Sequence, residues 1–252
     1  MHIADIFTHN SLTMKTKQMA WLLVSSLFLV TGCVVNIQDS VSGDGKVVSR
    51  TRDLPDFSGI KVASGIDVFL TQGENQHVEV EADENLQDWI RTEVEGSVLH
   101  IYTDKYIRLA KTKKVHITCK TVEKIEVSSA GDVTGLSPFK TDKLDISMSS
   151  AGDLKLEVEA TEINISISSA GNVSLKGKAG TLNADLSSAG DLNAFDLEAR
   201  VGDISVSSAG SARVYVTEEA SFRSNSAGDI DYKGEPRIKE IHTSSAGSVN
   251  KK

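Results

Sequence analysis

Cysteine, proline and aromatic residues are all scarce in this chain of 252 residues: there are two cysteines, three prolines and 5% aromatics. Two cysteines cannot build a disulfide framework, least of all if one has another use. With so few aromatic rings, a core must be assembled from Val, Ile, Leu and Ala, which suits thin layers of stacked strands. Basic residues are in deficit as well. The formal charge of −8 and the lack of a basic stripe argue against a nucleic-acid partner, because neutralising phosphates requires clustered Lys and Arg. Long apolar runs are also missing, and the longest, residues 20–30, falls short of the ~20 residues that span a bilayer. Apolar content is nevertheless 39%, which excludes wholesale disorder.

That one apolar run is itself informative. Lys15 and Lys17 precede it, as in the n-region of a secretory signal, and it ends in Val30-Thr31-Gly32-Cys33. The last four residues resemble the bacterial lipobox, which implies that Cys33 receives lipid before signal peptidase II cleaves. Residues 1–32 are therefore expected to be a signal region, with Met14 as the true start. Residues 33–45 should be a lipidated tether, since Gln38-Asp39-Ser40-Val41-Ser42-Gly43-Asp44-Gly45 has a flexible composition. The expected location is the bacterial envelope, held to a membrane by the anchor at Cys33. The outer membrane is favoured, on either its periplasmic or its surface face.

Self-similarity dominates the remainder. Ser128-Ser129-Ala130-Gly131-Asp132 recurs with glycines at Gly152, Gly171, Gly190, Gly210, Gly228 and Gly247, spaced by 21, 19, 19, 20, 18 and 19 residues. Around each copy apolar residues alternate with polar ones: Ile163, Ile165 and Ile167 precede one corner, and Val173 and Leu175 follow it. A unit of this length cannot bury its apolar edge alone, but stacked units can. Residues 46–252 are thus expected to be an all-β, single-stranded parallel β-helix or β-roll solenoid with coils of about 19 residues. Each coil should run strand, tight turn, strand, return turn. The corner glycines are expected to supply φ > 0, with Ser and Asp hydrogen-bonding turn amides. Residues 46–125 follow the same logic less regularly. Ile60 to Leu70 reads as a worn strand, Ser-Gly turn, strand. Leu86, Trp89 and Ile90 have the spacing of one short helix, placed to cover the open end of the stack.

The segments Phe57-Ser58-Gly59-Ile60 and Ala82-Asp83-Glu84-Asn85-Leu86, the Ser-Ala-Gly-Asp corners and Tyr232-Lys233-Gly234-Glu235-Pro236 together resemble the GIN-domain family. Its label is the head of an autotransporter adhesin. The resemblance covers nearly all of residues 46–252. It implies a largely β-helical fold and a cell-envelope location, and it supplies no catalytic residues.

Two polar columns are candidate sites. Asp132, Asp153, Asn172, Asp191, Ser211, Asp229 and Ser248 each follow a corner glycine. Stacked carboxylates about 5 Å apart repel by about 0.8 kcal/mol in water, which calcium bound by Asp132, Asp153, Asp191 and Asp229 would relieve. Solvated turns explain the same residues, and Asn172 and Ser211 interrupt the acidic run. The second column, Asp145, Asn164, Asn183 and Asp203, occupies outward strand positions. Some β-helix enzymes cleave polysaccharides with carboxylates on such a face, but catalysis needs groups that depart from the repeat. His77, His100, His116 and His242 are scattered without metal-ligand spacing. Cys119 alternates with Val115 and Ile117 and reads as a buried thiol. No nucleophile elbow, phosphate loop or CxxC pair is present, and no cofactor is expected. The reading that results is a non-enzymatic structural, adhesion or binding module that presents polar β faces to a glycan or an envelope protein. A polysaccharide-active enzyme and an envelope-stress or assembly component are the alternatives.

Overall fold

The structure, a computed structural model, describes residues 40–252. The signal region, the start at Met14, Cys33 and the first part of the tether lie outside the described residues. In chain order the strands are β1 (Ser40–Ser42), β2 (Val47–Arg52), β3 (Gly59–Val62), β4 (Asp67–Gln72), β5 (His77–Asp83), β6 (Ile90–Glu95) and β7 (Val98–Thr103). Next come β8 (Tyr106–Leu109), β9 (Lys113–Cys119), β10 (Lys124–Val127), β11 (Asp132–Gly135), β12 (Phe139–Met148), β13 (Asp153–Ile167) and β14 (Asn172–Leu186). The last are β15 (Asp191–Val206), β16 (Ser211–Ser224), β17 (Asp229–Lys233), β18 (Arg237–Thr243) and β19 (Ser248–Lys251).

The result is a parallel β-solenoid with two walls. Segments leading into each Ser-Ala-Gly corner form the front wall, and segments leading out form the back wall. Register makes the repeat physical. On the front wall Ile60 pairs with Ile125, which pairs with Ile146, and the column continues through Ile165, Ala184, Ile204, Phe222 and Ile241. On the back wall Val68, Val133, Leu154, Val173, Leu192, Ala212, Ile230 and Val249 align in the same way. Apart from the exposed Ile241, these inward residues form one continuous apolar core, and burying each large aliphatic side chain is worth about 1.5–3 kcal/mol. The worn segment at Ile60 to Leu70 is thus a true coil, in register with its neighbour on both walls.

Three expectations change. The return turn is not a turn. β13, β14 and β15 run unbroken from back wall to front wall, with Ala160, Ala179 and Ala199 stacked and buried where they bend. Small side chains let the strand fold over without opening a gap. The short helix is only a 3₁₀ turn, Glu84–Leu86, because Ile90 already begins β6 and Asp83 makes no side-chain cap. Leu86 and Gln87 are fully buried there, and the Gln87 amide donates to the carbonyls of Val48 and Val80 at 2.8 and 2.9 Å.

Residues 40–45, expected to belong to a flexible tether, are held in place instead. β1 pairs in parallel with β8, and Gly43 N–H donates to Leu109 O at 2.7 Å. The buried Asp83 carboxylate accepts the N–H groups of Gly45 at 2.6 Å and Lys111 at 2.8 Å, so residues 40–45 are docked. Glycine and serine here serve close hydrogen bonding rather than freedom. Among the described residues no helix is long and apolar enough to cross a membrane.

Candidate functional site

The corner glycines act differently from expectation. None of Gly131, Gly152, Gly171, Gly190, Gly210, Gly228 and Gly247 has positive φ. In four corners the left-handed residues are Ser129 and Ala130, Ser208, Ser226 and Ala227, and Ser245 and Ala246. Only in the first coil does glycine take that place: Gly65, at φ 61, stands where Ala130 stands at φ 59. The repeated glycines are needed for close approach instead. A Cβ on Gly152 would lie 2.4 Å from the carbonyl oxygen of Gly131, and one on Gly210 would lie 2.6 Å from that of Ser188.

The residues after these glycines form the first polar column. Asp153 N–H donates to Asp132 Oδ1 at 2.9 Å, and Asn172 Nδ2 donates to Asp153 Oδ1 at 2.9 Å. The Asn172 hydrogen bond, and then Lys155, outweigh burial and hold the Asp153 carboxyl below its ordinary range. Asp67, which sequence reasoning missed, extends the column beyond Asp132. Burial first, then the charge of Asp132, push its carboxyl upward. Its signal was the worn Ser64-Gly65 corner just before it. The structure therefore stacks Asp132 beside Asp153 but separates Asp153 from Asp191 by Asn172, and Asp191 from Asp229 by Ser211. Among the described residues no three His, Cys, Asp or Glu side chains converge as metal ligands would.

The second column is a true ladder on the outer face of the front wall. Asp145, Asn164, Asn183 and Asp203 are direct cross-strand partners, coil after coil. Ser147, Ser166, Asp185 and Ser205 run beside them, and the two rows line an open groove of about 480 Å³. Asn164 Nδ2 donates to Asp145 Oδ1 at 2.8 Å and to Glu162 Oε1 at 2.7 Å, while its carbonyl accepts from Asn183 Nδ2 at 2.8 Å. Arg223 reaches Asp203 Oδ1 at 2.8 Å from the C-terminal side, and Lys143 reaches Asp145 at 3.2 Å from its own strand.

This ladder has a built-in mismatch. A carboxylate only accepts, and an amide presents one acceptor and one donor group. Two amides stacked between two carboxylates must leave one junction where acceptors meet, whichever way the amides turn. Here that junction falls between Asn183 and Asp203, and among the described residues no hydrogen bond joins them. The groove can thus accept hydrogen bonds from a ligand, and it offers no paired acid and base in contrasting surroundings.

The remaining candidates are dispersed. His116 stacks on Phe69 at 5.2 Å and meets Glu81 at 3.2 Å, and His100 lies 3.9 Å from Glu95. His77 and His242 are exposed on other strands. Cys119 is buried, and burial pushes its thiol up to about 11, so it is inert.

The family model described as "Putative auto-transporter adhesin, head GIN domain" matches residues 56–236. A crystal structure described as a putative lipid binding protein from Parabacteroides distasonis is 25% identical, with a TM-score of 0.68 over 84% of this chain and 99% of that one. Another, described as a putative adhesin from Bacteroides fragilis, is 23% identical, with a TM-score of 0.75 over 84% and 99% of the two chains. A third, described as a putative adhesin from Parabacteroides merdae, is 22% identical, with a TM-score of 0.70 over 85% and 99%. Among curated proteins none matches the chain. The family match spans most of the solenoid, and the fold is shared with the solved structures: the chain belongs to the GIN-domain family.

Proposed function

We propose that this protein is a lipid-anchored, non-enzymatic module of the bacterial envelope that binds neutral glycans along the front wall. Family and relatives support the broader statement, an adhesion or binding module at the envelope or cell surface. The observation that carries the finer one is the acceptor-on-acceptor junction between Asn183 and Asp203. It faces a groove whose rows repeat every coil, and a glycan is a ligand whose hydroxyl donors also repeat. The ladder residues are the repeat itself, which suits lateral binding along the groove more than chemistry at one point.

The test is retention of the chain on a panel of neutral envelope and host glycans. Asp203→Ala removes one acceptor of the junction, and Asn183→Leu removes the other. Each should weaken binding about tenfold or more, as expected for one or two lost hydrogen bonds, with the fold intact by melting. Equal binding by wild type and both variants, or no binding to any glycan, refutes the proposal. The anchor is tested separately. Cys33→Ala should abolish incorporation of a palmitate analogue, and equal labelling of wild type and variant would refute lipidation.

A further inference from the structure

The two ends of the solenoid are finished differently. At the N-terminal end the walls close with the antiparallel strands β2 and β6, and Leu86 and Gln87 are sealed beneath them. At the C-terminal end every residue of β18 is exposed, and its outer edge carries no strand among the described residues. Ile238 and Ile241 point inward, aligned with Ala220 and Phe222, yet remain 37% and 49% exposed.

Their spacing is odd for a strand, since three residues apart should mean opposite faces. A bulge explains it. Ala220 pairs with Ile238 and Ser221 with Glu240, so Lys239 is an extra residue. The order of faces along β18 is then outward for Arg237, inward for Ile238, outward for Lys239 and Glu240, inward for Ile241 and outward for His242. That order reads the same in both directions about the midpoint between Lys239 and Glu240.

We propose that two copies of this chain pair tail to tail through β18, antiparallel about a two-fold axis between Lys239 and Glu240. In that register Ile238 lies against Ile241 of the second copy, so the open end of each core is covered by the other. Lys239 faces Glu240 of the second copy, and the reverse contact forms by symmetry. Bulges and edge lysines are also devices that keep strands apart. Here the bulge is what makes the strand match its own inverted copy, and the lysine has an opposite charge to meet. Pairing joins the edge N–H and C=O groups of β18 and places two front-wall grooves on one particle.

Lys239 and Glu240 already contact Glu219 and Arg223 within their own chain, at exposed sites, so changing either costs the single copy little. The full chain, purified in detergent, should give a dimer mass by native mass spectrometry at tens of micromolar. Glu240→Lys sets lysine against lysine, Lys239→Glu sets glutamate against glutamate, and each should run as a monomer with its melting transition kept. An equimolar mixture of the two variants restores opposite charges at both contacts and should yield a dimer containing one of each. If either variant fails to fold, Ile241→Asn, at a half-exposed position, should also give a folded monomer. A monomeric wild type, dimers that survive both charge variants, or a mixture that stays monomeric would overturn the proposal.

Discussion

Replacing Gly152 with alanine isolates the close-approach role of the corner glycines, because the backbone there is not left-handed and would itself accept alanine. The new Cβ would sit 2.4 Å from Gly131 O, a backbone atom that no rotamer change can move. An ordinary contact is about 3.5 Å, so the two coils must part by about 1 Å at this corner. Two hydrogen bonds span the same gap, Ser149 N–H to Val127 O at 3.0 Å and Asp153 N–H to Asp132 Oδ1 at 2.9 Å. Stretching either by that amount ends it, at about 1 kcal/mol each, and residual overpacking adds about 1–3 kcal/mol. The total of about 3–5 kcal/mol corresponds to a drop in Tm of roughly 6–20 °C for a fold of this size. Thermal melts followed by far-ultraviolet circular dichroism measure it. Gly96→Ala is the reference, because Gly96 has φ +62 but nothing within 4 Å of a Cβ. It should lose only the left-handed penalty of about 1–2 kcal/mol. A Gly152→Ala protein melting with or above Gly96→Ala would refute the close-approach account.

Ile165→Asp places an unpaired charge between Ile146 and Ala184 and should cost more than about 4 kcal/mol, whereas the outward Ser166→Asp should cost less than about 1 kcal/mol. Urea titration separates them, and equal midpoints would reverse the inside and outside assignments. Burial would raise the Asp83 pKa, but the backbone N–H groups of Lys111, Gly45 and Thr112 outweigh it and hold the value below the ordinary range. Its stabilisation is therefore complete above the unfolded-state value near ~3.9 and fades as pH falls through the lower folded value. Asp83→Asn should lose about 1.5–3 kcal/mol at neutral pH and speed exchange of the Gly45 and Lys111 amides, and unchanged exchange would contradict the docking role. For the corner column, melts in chelator and in millimolar calcium should coincide, because among the described residues no three of its carboxylates converge as metal ligands would. A rise of many degrees that Asp191→Asn removes would establish a calcium site.

Much of the fold was legible because a period of two inside a period of about 19 leaves little choice. Once Ile146, Ile165 and Ala184 share a wall, Asn164 and Asn183 must share the opposite surface, so the ladder could be read from spacing alone. What could not be read depended on contacts between coils or on distant partners. The corner glycines looked like φ > 0 positions because glycine takes that conformation without strain, whereas here the left-handed residues are Ser129 and Ala130 and the glycine answers to the coil beside it. The docking of residues 40–45 turns on Asp83, some forty positions away, which a local composition cannot reveal. The mismatch at Asn183 and Asp203 was present in the residues, but it became visible only when hydrogen-bond directions along the ladder were counted.

The insertion of β5 to β9 between the first coil and the second also bears on the order in which the protein assembles. Coils from β12 onward pair with segments about 19 residues away, but β3 and β4 pair with β10 and β11 across 65 residues. Closing the longer loop costs about 1 kcal/mol more in chain entropy than closing one coil, and it yields a single pair of short ladders in return. Coils from β12 to β19 can therefore zip up one after another with short searches, whereas joining the N-terminal cap to them is the slow encounter. A chain emerging from its N-terminus must make that cap first and hold it without its lower neighbour until residues 124–135 arrive. The rate of folding should then be set by β9, β10 and β11, and it should change little if a whole coil in the middle were deleted or duplicated.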